Sequence, residues 1–356
     1  MSRTENGKGT GNVGLTNLGN TCFMNTGLQC LSHIPEIREL FINRKIHEYN
    51  HIDKQKNIKE RQVTQQWVRL LEGLWKEFDE TKHKVIRPMS FFKEFSEYVI
   101  IKNISQFRGY SQNDVQEFLI IFLNCIHNAC SRKVDVTIKG TPKNKLDKQA
   151  VEAAKTWKNH FKNEYSEVIK LFYGQLCSII IHSDTKEELS YSYDPICDFH
   201  LPIPESIMFD GDSIVPDIYD CFDLFCEEES IDGLEYTWKS KKIEANKQLK
   251  VWKFPKILMV TLKRFNENRT KNNTLVEFPL ENLDVSKYCV GYEKKVVYDC
   301  IGVSNHSGGT NGGHYYAYCL CNDGQWRVFN DASVNIIKKE NVVSQSAYVV
   351  FYRKRE

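Results

Sequence analysis

Three side chains far apart in the chain have the types that thiol chemistry needs: Cys22, His314 and Asn330. A cysteine becomes a nucleophile when an imidazole takes its proton and a third polar group orients that imidazole. The separation of almost 300 residues between Cys22 and His314 is no obstacle, because such partners meet in space. Cys22 follows Asn20 and Thr21, residue types that favour a helix N-cap. Met24, Leu28 and Leu31 then recur on one helical face, and Pro35 is placed to end the run. The first turn of a helix presents unpaired N–H groups and a positive dipole end, so the spacing predicts a site that favours a thiolate. A cysteine at a helix start is, taken alone, more often a buried structural residue.

His314 stands at the head of an apolar run, after four glycines in the six residues from Gly308 to Gly313, which read as a mobile loop. Asn322-Asp323-Gly324 marks a tight turn between that run and the next, Trp326 to Phe329. The hairpin would bring His314 and Asn330 to one end of neighbouring strands, where Asn330 fixes the tautomer and direction of the imidazole.

Further back, Ser111 is a candidate cap for a helix running through Phe118, Leu119, Phe122, Leu123 and Ile126. Asp114 and Glu117 would then complement the first-turn dipole. An amphipathic helix is expected from Val63 to Phe78, a short one over 91–100, and another over 150–169 in which Trp157, Phe161 and Tyr165 are spaced four apart. From Leu171 the character becomes β-rich, with strands expected at 176–181, 188–193 and 199–203. Longer apolar strands follow at 257–262, 296–303, 315–320, 326–329 and 347–352, separated by Gly/Asn-rich turns, which is the pattern of an antiparallel sheet. The fold class is α+β. The helical-to-β change lacks a flexible linker, so one elaborated domain over 13–356 is expected after a Gly-rich, disordered leader at 1–12.

The bulk numbers exclude several classes. The chain has 356 residues, 41% hydrophobic and 26% charged, with a net charge of +2, so it lacks the basic footprint of a nucleic-acid or membrane-surface protein. The lysines between Lys139 and Lys148 are mixed with Gly140, Pro142 and Asp147, as in a solvated loop. The most apolar run, Phe118 to Cys125, is far too short to cross a bilayer. Twelve cysteines without a secretory signal fit free thiols in the cytoplasm or nucleus.

Gly14-Leu15-Thr16-Asn17-Leu18-Gly19-Asn20-Thr21-Cys22-Phe23-Met24-Asn25 resembles the cysteine box of the ubiquitin-specific proteases, papain-like deubiquitinating enzymes. Tyr110 to Leu119 resembles their acidic helix start, and Asn305 to Asp331 their histidine box; Phe172-Tyr173-Gly174-Gln175-Leu176 and Leu262-Lys263-Arg264-Phe265 fit the same pattern in order and spacing. The resemblance covers Val13 to the C-terminus. It implies a papain-like fold with a thumb over about 13–168, fingers over about 169–255 and a palm over about 256–356. It implies Cys22 as nucleophile, His314 as general base and then acid, and Asn330 as the orienting member. Asp331 would support or substitute for Asn330, and Asn17 would donate to the oxyanion. Gln112 and Asp114 would grip the ubiquitin tail, Asp114 through an arginine, with Tyr315 lining the channel; the loop 307–313 resembles a blocking loop that moves aside. The implied reaction is hydrolysis after the C-terminal glycine of ubiquitin through a thioester, on ubiquitinated proteins, by a monomer with no cofactor. A papain-like protease for a ubiquitin-like modifier, or a pseudoenzyme that only binds ubiquitin, remain the rival readings.

Many members of that family clamp the fingers with two Cys-x-x-Cys pairs around zinc. No Cys-x-x-Cys occurs in this chain. Only Cys177, His182 and Cys197 offer a makeshift set, so the fingers are expected to stand without metal on strand pairing and apolar packing, Trp238 included.

Overall fold

The computed structural model describes residues 9–43, 57–76, 84–107, 111–205, 208–209, 212–213, 215–230, 236–238, 241–266, 268–310 and 312–356. The helix expected behind Cys22 runs over Cys22–Ser32, with every residue buried. Further helices follow at Ile58–Leu74, Met89–Ile101 and Val115–Cys130. Their apolar stripes meet in one cluster, where Trp67, Phe91, Phe95, Phe118 and Phe122 pack edge to face and stacked. The polar segment 47–61 lies largely outside the described residues. Part of the leader expected to be disordered is instead packed: Gly9 is buried and donates to the Trp75 carbonyl at 3.1 Å. Its missing side chain allows this, since a Cβ there would fall 2.5 Å from that oxygen.

The helix expected over 150–169 is two, Lys145–Phe161 and Glu167–Phe172. Ser166 caps the second by accepting from Ile169 N, so the chain restarts where continuous periodicity had suggested one helix. Trp157 and Phe161 pack at 4.6 Å within the first, and Tyr165 falls beyond its end.

Two antiparallel systems follow. A four-stranded sheet orders Glu188–Ile196, Gly174–His182, Ala245–Lys253 and Glu228–Ser230. The larger, eight-stranded sheet runs Ser333–Ile336, Trp326–Asn330, Gly312–Leu320, Val297–Gly309, Ala347–Lys354, Ile257–Leu262 and Phe199–Leu201, with Leu283–Asp284 paired onto Val297–Gly309. Among the described residues of this sheet, only the Phe199–Leu201 edge pairs in parallel. Val349 and Phe351 point into the helical core, while Val350 and Tyr352 point into a second cluster on the other face. Both faces are therefore dry, which is why 257–262 is apolar except for Thr261 and buried at every position. The helix Ile218–Phe225 was not expected; Asp217 and Asp220 form its capping box, and Ile218, Cys221 and Phe222 are its buried face.

Candidate active site

The chain before Cys22 is folded on one side chain. Asn17 Oδ1 accepts from Gly19 N at 3.0 Å, Thr21 N at 3.1 Å and Thr21 Oγ1 at 3.2 Å, and Thr21 Oγ1 accepts from Leu18 N at 2.8 Å. Thr21 is the N-cap, though its side chain closes the turn and makes no cap bond to the helix. Cys22 is only 4% exposed. Burial pushes its thiol above the ordinary range, and the Asp331 carboxylate adds to this; backbone groups of Tyr315, Phe23 and Cys22 itself oppose it without winning. The expectation of a site that favours a thiolate is thus corrected, because removing an anion from water outweighs the backbone donors around the thiol.

Ala317 pairs with Phe329 across the hairpin, which brings His314 and Asn330 to the same end of their strands. Asn330 Oδ1 lies 2.6 Å from His314 Nε2. An amide oxygen only accepts, so Nε2 carries the proton and Nδ1 keeps the basic lone pair. The Cys22–Ser32 helix packs across the Gly312–Leu320 strand, and the Cys22 thiol meets the backbone of Tyr315, the residue after His314.

Asp331 does something other than the expected support of the imidazole. It adopts a left-handed φ of 48°, and its carbonyl accepts from Leu15 N at 2.8 Å. Its carboxylate is shared between two amides: Oδ1 accepts from Asn25 Nδ2 at 2.8 Å and Oδ2 from Asn17 Nδ2 at 2.9 Å. Both oxygens therefore face the Cys22 side of the site, and one amide hydrogen of Asn17 remains for another acceptor. Nothing in the sequence separates Asn25 from the other buried polar residues of this helix, Thr26, Gln29 and Ser32.

The acidic helix start also differs in detail. Asp114, not Ser111, is the N-cap of Val115–Cys130, accepting from Gln116 N at 2.7 Å and Glu117 N at 3.2 Å. Ser111 lies three residues too early, and only the carboxylate of Asp114 reaches the first free N–H groups. The other oxygen of Asp114 accepts from Tyr348 OH at 2.9 Å and Tyr315 OH at 3.2 Å. Burial, then the Asp114 charge, holds both phenols far above their usual range. Tyr348 was missed in sequence, because nothing local marks it as a partner of residue 114.

The glycine stretch is paired backbone and not an irregular loop: Ser307 pairs with His314, Gly308 with Gly313 and Gly309 with Gly312. At Gly313 the absent side chain makes room for a ring, since a Cβ would fall 2.3 Å from His306 Nε2. Gln112 clasps the same residue, accepting from Gly313 N at 3.3 Å and donating to Gly313 O at 3.2 Å. Close packing accounts for Gly308 and Gly313, whose Cβ positions would fall 2.7 and 2.3 Å from neighbouring atoms.

The makeshift metal ligands are apart in their contacts. Cys177 is buried against Tyr193, and the half-buried Cys197 meets Tyr173, while His182 sits at the end of its strand and accepts from Asp184 N. Among the described residues no group of three or more His, Cys, Asp or Glu is placed to hold a metal ion. The Trp238 side chain lies outside the described residues.

A thiol, an imidazole of fixed tautomer and an anchored amide donor together can perform acyl transfer. Residues 13–352 match the family model described as ubiquitin carboxyl-terminal hydrolase. The chain is 34% identical over 351 residues to ubiquitin carboxyl-terminal hydrolase 2 of Homo sapiens, covering 96% of this chain and 55% of that protein. It is 31% identical over 366 residues to ubiquitin carboxyl-terminal hydrolase 21 of Bos taurus, covering 97% and 62%. The chain thus spans about half the length of the curated relatives it matches. In structure it is similar to the SAGA Ubp8/Sgf11/Sus1/Sgf73 DUB module bound to ubiquitin aldehyde, with a TM-score of 0.73 at 25% identity, covering 100% of this chain and 72% of the other. The mixed helical and sheet architecture is the α+β fold of that group. By the match across nearly its whole length, this chain belongs to the ubiquitin carboxyl-terminal hydrolase family, as one of the ubiquitin-specific proteases.

Proposed function

We propose that this chain is a cysteine deubiquitinase that hydrolyses the isopeptide or peptide bond after the C-terminal glycine of ubiquitin. The observation that carries the reading is the 2.6 Å bond between Asn330 Oδ1 and His314 Nε2. It leaves Nδ1 as the base beside the helix that starts at Cys22. His314 takes the thiol proton, and the Cys22 sulfur attacks the glycine carbonyl. The free N–H of the Asn17 amide, whose other hydrogen is held by Asp331, donates to the oxyanion. His314 then protonates the departing amine, leaving a thioester. Water, deprotonated by the same imidazole, attacks that thioester and releases ubiquitin with a free carboxylate.

Gln112, Asp114 and Tyr315 bind the ubiquitin tail. Gln112 must give up its clasp on Gly313 to do so, and Asp114 offers an arginine the oxygen now shared by Tyr315 and Tyr348. Thumb, fingers and palm correspond to about 13–168, 169–255 and 256–356. The enzyme acts as a monomer on ubiquitinated proteins in the cytoplasm or nucleus, without a cofactor. Twelve free cysteines fit a reducing compartment, and among the described residues no helix is long and apolar enough to cross a membrane.

Fluorogenic C-terminal conjugates of ubiquitin and of ubiquitin-like modifiers test the reading. Turnover of the ubiquitin conjugate above all others, lost in Cys22→Ala, is expected. Preference for another modifier would reassign the substrate, and binding without turnover would make the chain a pseudoenzyme.

A further inference from the structure

The loop following Ile257–Leu262 lies outside the proposed catalytic set, yet it is tied to the hairpin that carries His314. Lys271 is half-buried, and its Nζ donates to the His306 carbonyl at 2.7 Å. Among the described residues no carboxylate meets this ammonium. Burial, then the Arg264 charge, pulls its pKa down. Holding a partly desolvated cation against a lone carbonyl carries a desolvation cost that no carboxylate offsets among the described residues.

The loop itself is rigidly anchored. Arg264 is fully buried; its guanidinium donates to Asn272 O at 3.0 Å, Thr274 O at 2.8 Å and Ala347 O at 2.6 Å, while Asn272 N donates back to Arg264 O at 2.6 Å. Phe265 packs on the His306 and Tyr348 rings at 5.3 and 5.2 Å. A second tie reaches the far end of the hairpin, where Thr310 Oγ1 donates to Arg269 O at 2.8 Å.

The carbonyl that Lys271 holds belongs to a residue in contact with the reacting end of the site. The His306 ring lies 4.6 Å from Tyr315 and directly beneath Gly313. The next residue, Ser307, is the cross-strand partner of His314. The turn end of the hairpin, Tyr315 and the strand that carries His314 are therefore all tied to the position of the His306 carbonyl.

We infer that Lys271 is a positioning residue for His314: its ammonium fixes the His306 carbonyl and thereby the register of the strand that presents the imidazole to Cys22. The inference rests on the hydrolase reading above. It assigns Lys271 an effect on the chemical step, passed through backbone, and no contact with ubiquitin.

Steady-state kinetics of the full chain on a ubiquitin C-terminal fluorogenic conjugate separate the possibilities. Lys271→Met is expected to lower kcat about tenfold, with KM within about twofold and little change in melting temperature. Lys271→Arg keeps a charged donor at similar reach and is expected to recover most of the loss. Lys271→Gln, a neutral variant that keeps part of the stem, should behave like Lys271→Met. Wild-type kcat in Lys271→Met overturns the inference, as does a loss in Lys271→Arg as large as in Lys271→Met. Failure of both neutral variants to fold also overturns it, because Lys271 would then hold the whole structure and not the histidine. A wild-type chain with no turnover would instead sink the hydrolase reading, so the two failures are distinguishable.

Discussion

Asp331 and Asn17, 314 residues apart in sequence, are joined by a 2.9 Å hydrogen bond from the Asn17 amide to the Asp331 carboxylate. Together with the bond from Asn25 Nδ2 to the other oxygen, it makes Asp331 the anchor of the turn before Cys22. The same carboxylate raises the Cys22 thiol by its charge, second to burial among the causes that push it up. One residue thus positions a proposed oxyanion donor and opposes the thiolate in the resting site.

These two effects separate in Asp331→Asn. Removing a negative neighbour favours the thiolate, so the pH midpoint for alkylation of Cys22 by a small neutral reagent should move to lower pH. In the wild type that rate should still be rising through pH 9, because the thiol lies above its ordinary value. Hydrolysis should fall at least roughly tenfold, as one amide loses its acceptor and the Asn17 donor loosens. A wild-type midpoint below neutrality, or an unmoved midpoint in the variant, would refute the assignment.

Asn330→Ala should lower kcat by on the order of 10–100-fold, less than His314→Ala, which removes the base itself and should cost about 10²–10⁴. With both Asp331 oxygens engaged by Asn17 and Asn25, that residue supplies no ready replacement. An Asn330→Ala variant near wild-type activity, abolished by adding Asp331→Ala, would restore the backup role that the sequence suggested.

Asp114 carries two jobs, and Asp114→Asn divides them. Asparagine caps helices about as well as aspartate, so the melting temperature should hold, whereas Asp114→Ala should cost about 1 kcal/mol of stability. Both should weaken engagement of a tail arginine by ~1.5–3 kcal/mol, read as a fall in kcat/KM on ubiquitin conjugates. Unchanged kcat/KM in Asp114→Asn would leave Asp114 as a helix cap alone.

How much of this was legible follows from range. Helix starts and stops are local, so Cys22–Ser32 and the strand Ile257–Leu262 could be read directly. That His314 and Asn330 meet at one end of a hairpin could be read, because the Asn322–Gly324 turn sets their spacing. The pairing of Gly308 with Gly313 could not, since it depends on the His306 ring beneath it. Nor could the duties of Asp331, which arise from a left-handed backbone and partners more than 300 residues away. Lys271 left no signal because its partner is a main-chain carbonyl, which any sequence would provide.

The β-rich middle of the chain should fold without metal. Cys177 and Cys197 each face a tyrosine, and Gly174–His182 is paired along its length on both sides. Metal analysis should give well under one zinc per chain, and a chelator should leave melting and turnover unchanged. A stoichiometric zinc whose removal unfolds the protein would contradict this.

The central claim is that Cys22 alone among twelve cysteines is the nucleophile. The most direct measurement is mass-spectrometric mapping of the adduct formed by a ubiquitin bearing a C-terminal electrophile. The account predicts one ubiquitin per chain, attached at Cys22, with no adduct in Cys22→Ala and retained ubiquitin binding. Labelling at any other cysteine, or an adduct that persists in Cys22→Ala, would contradict it.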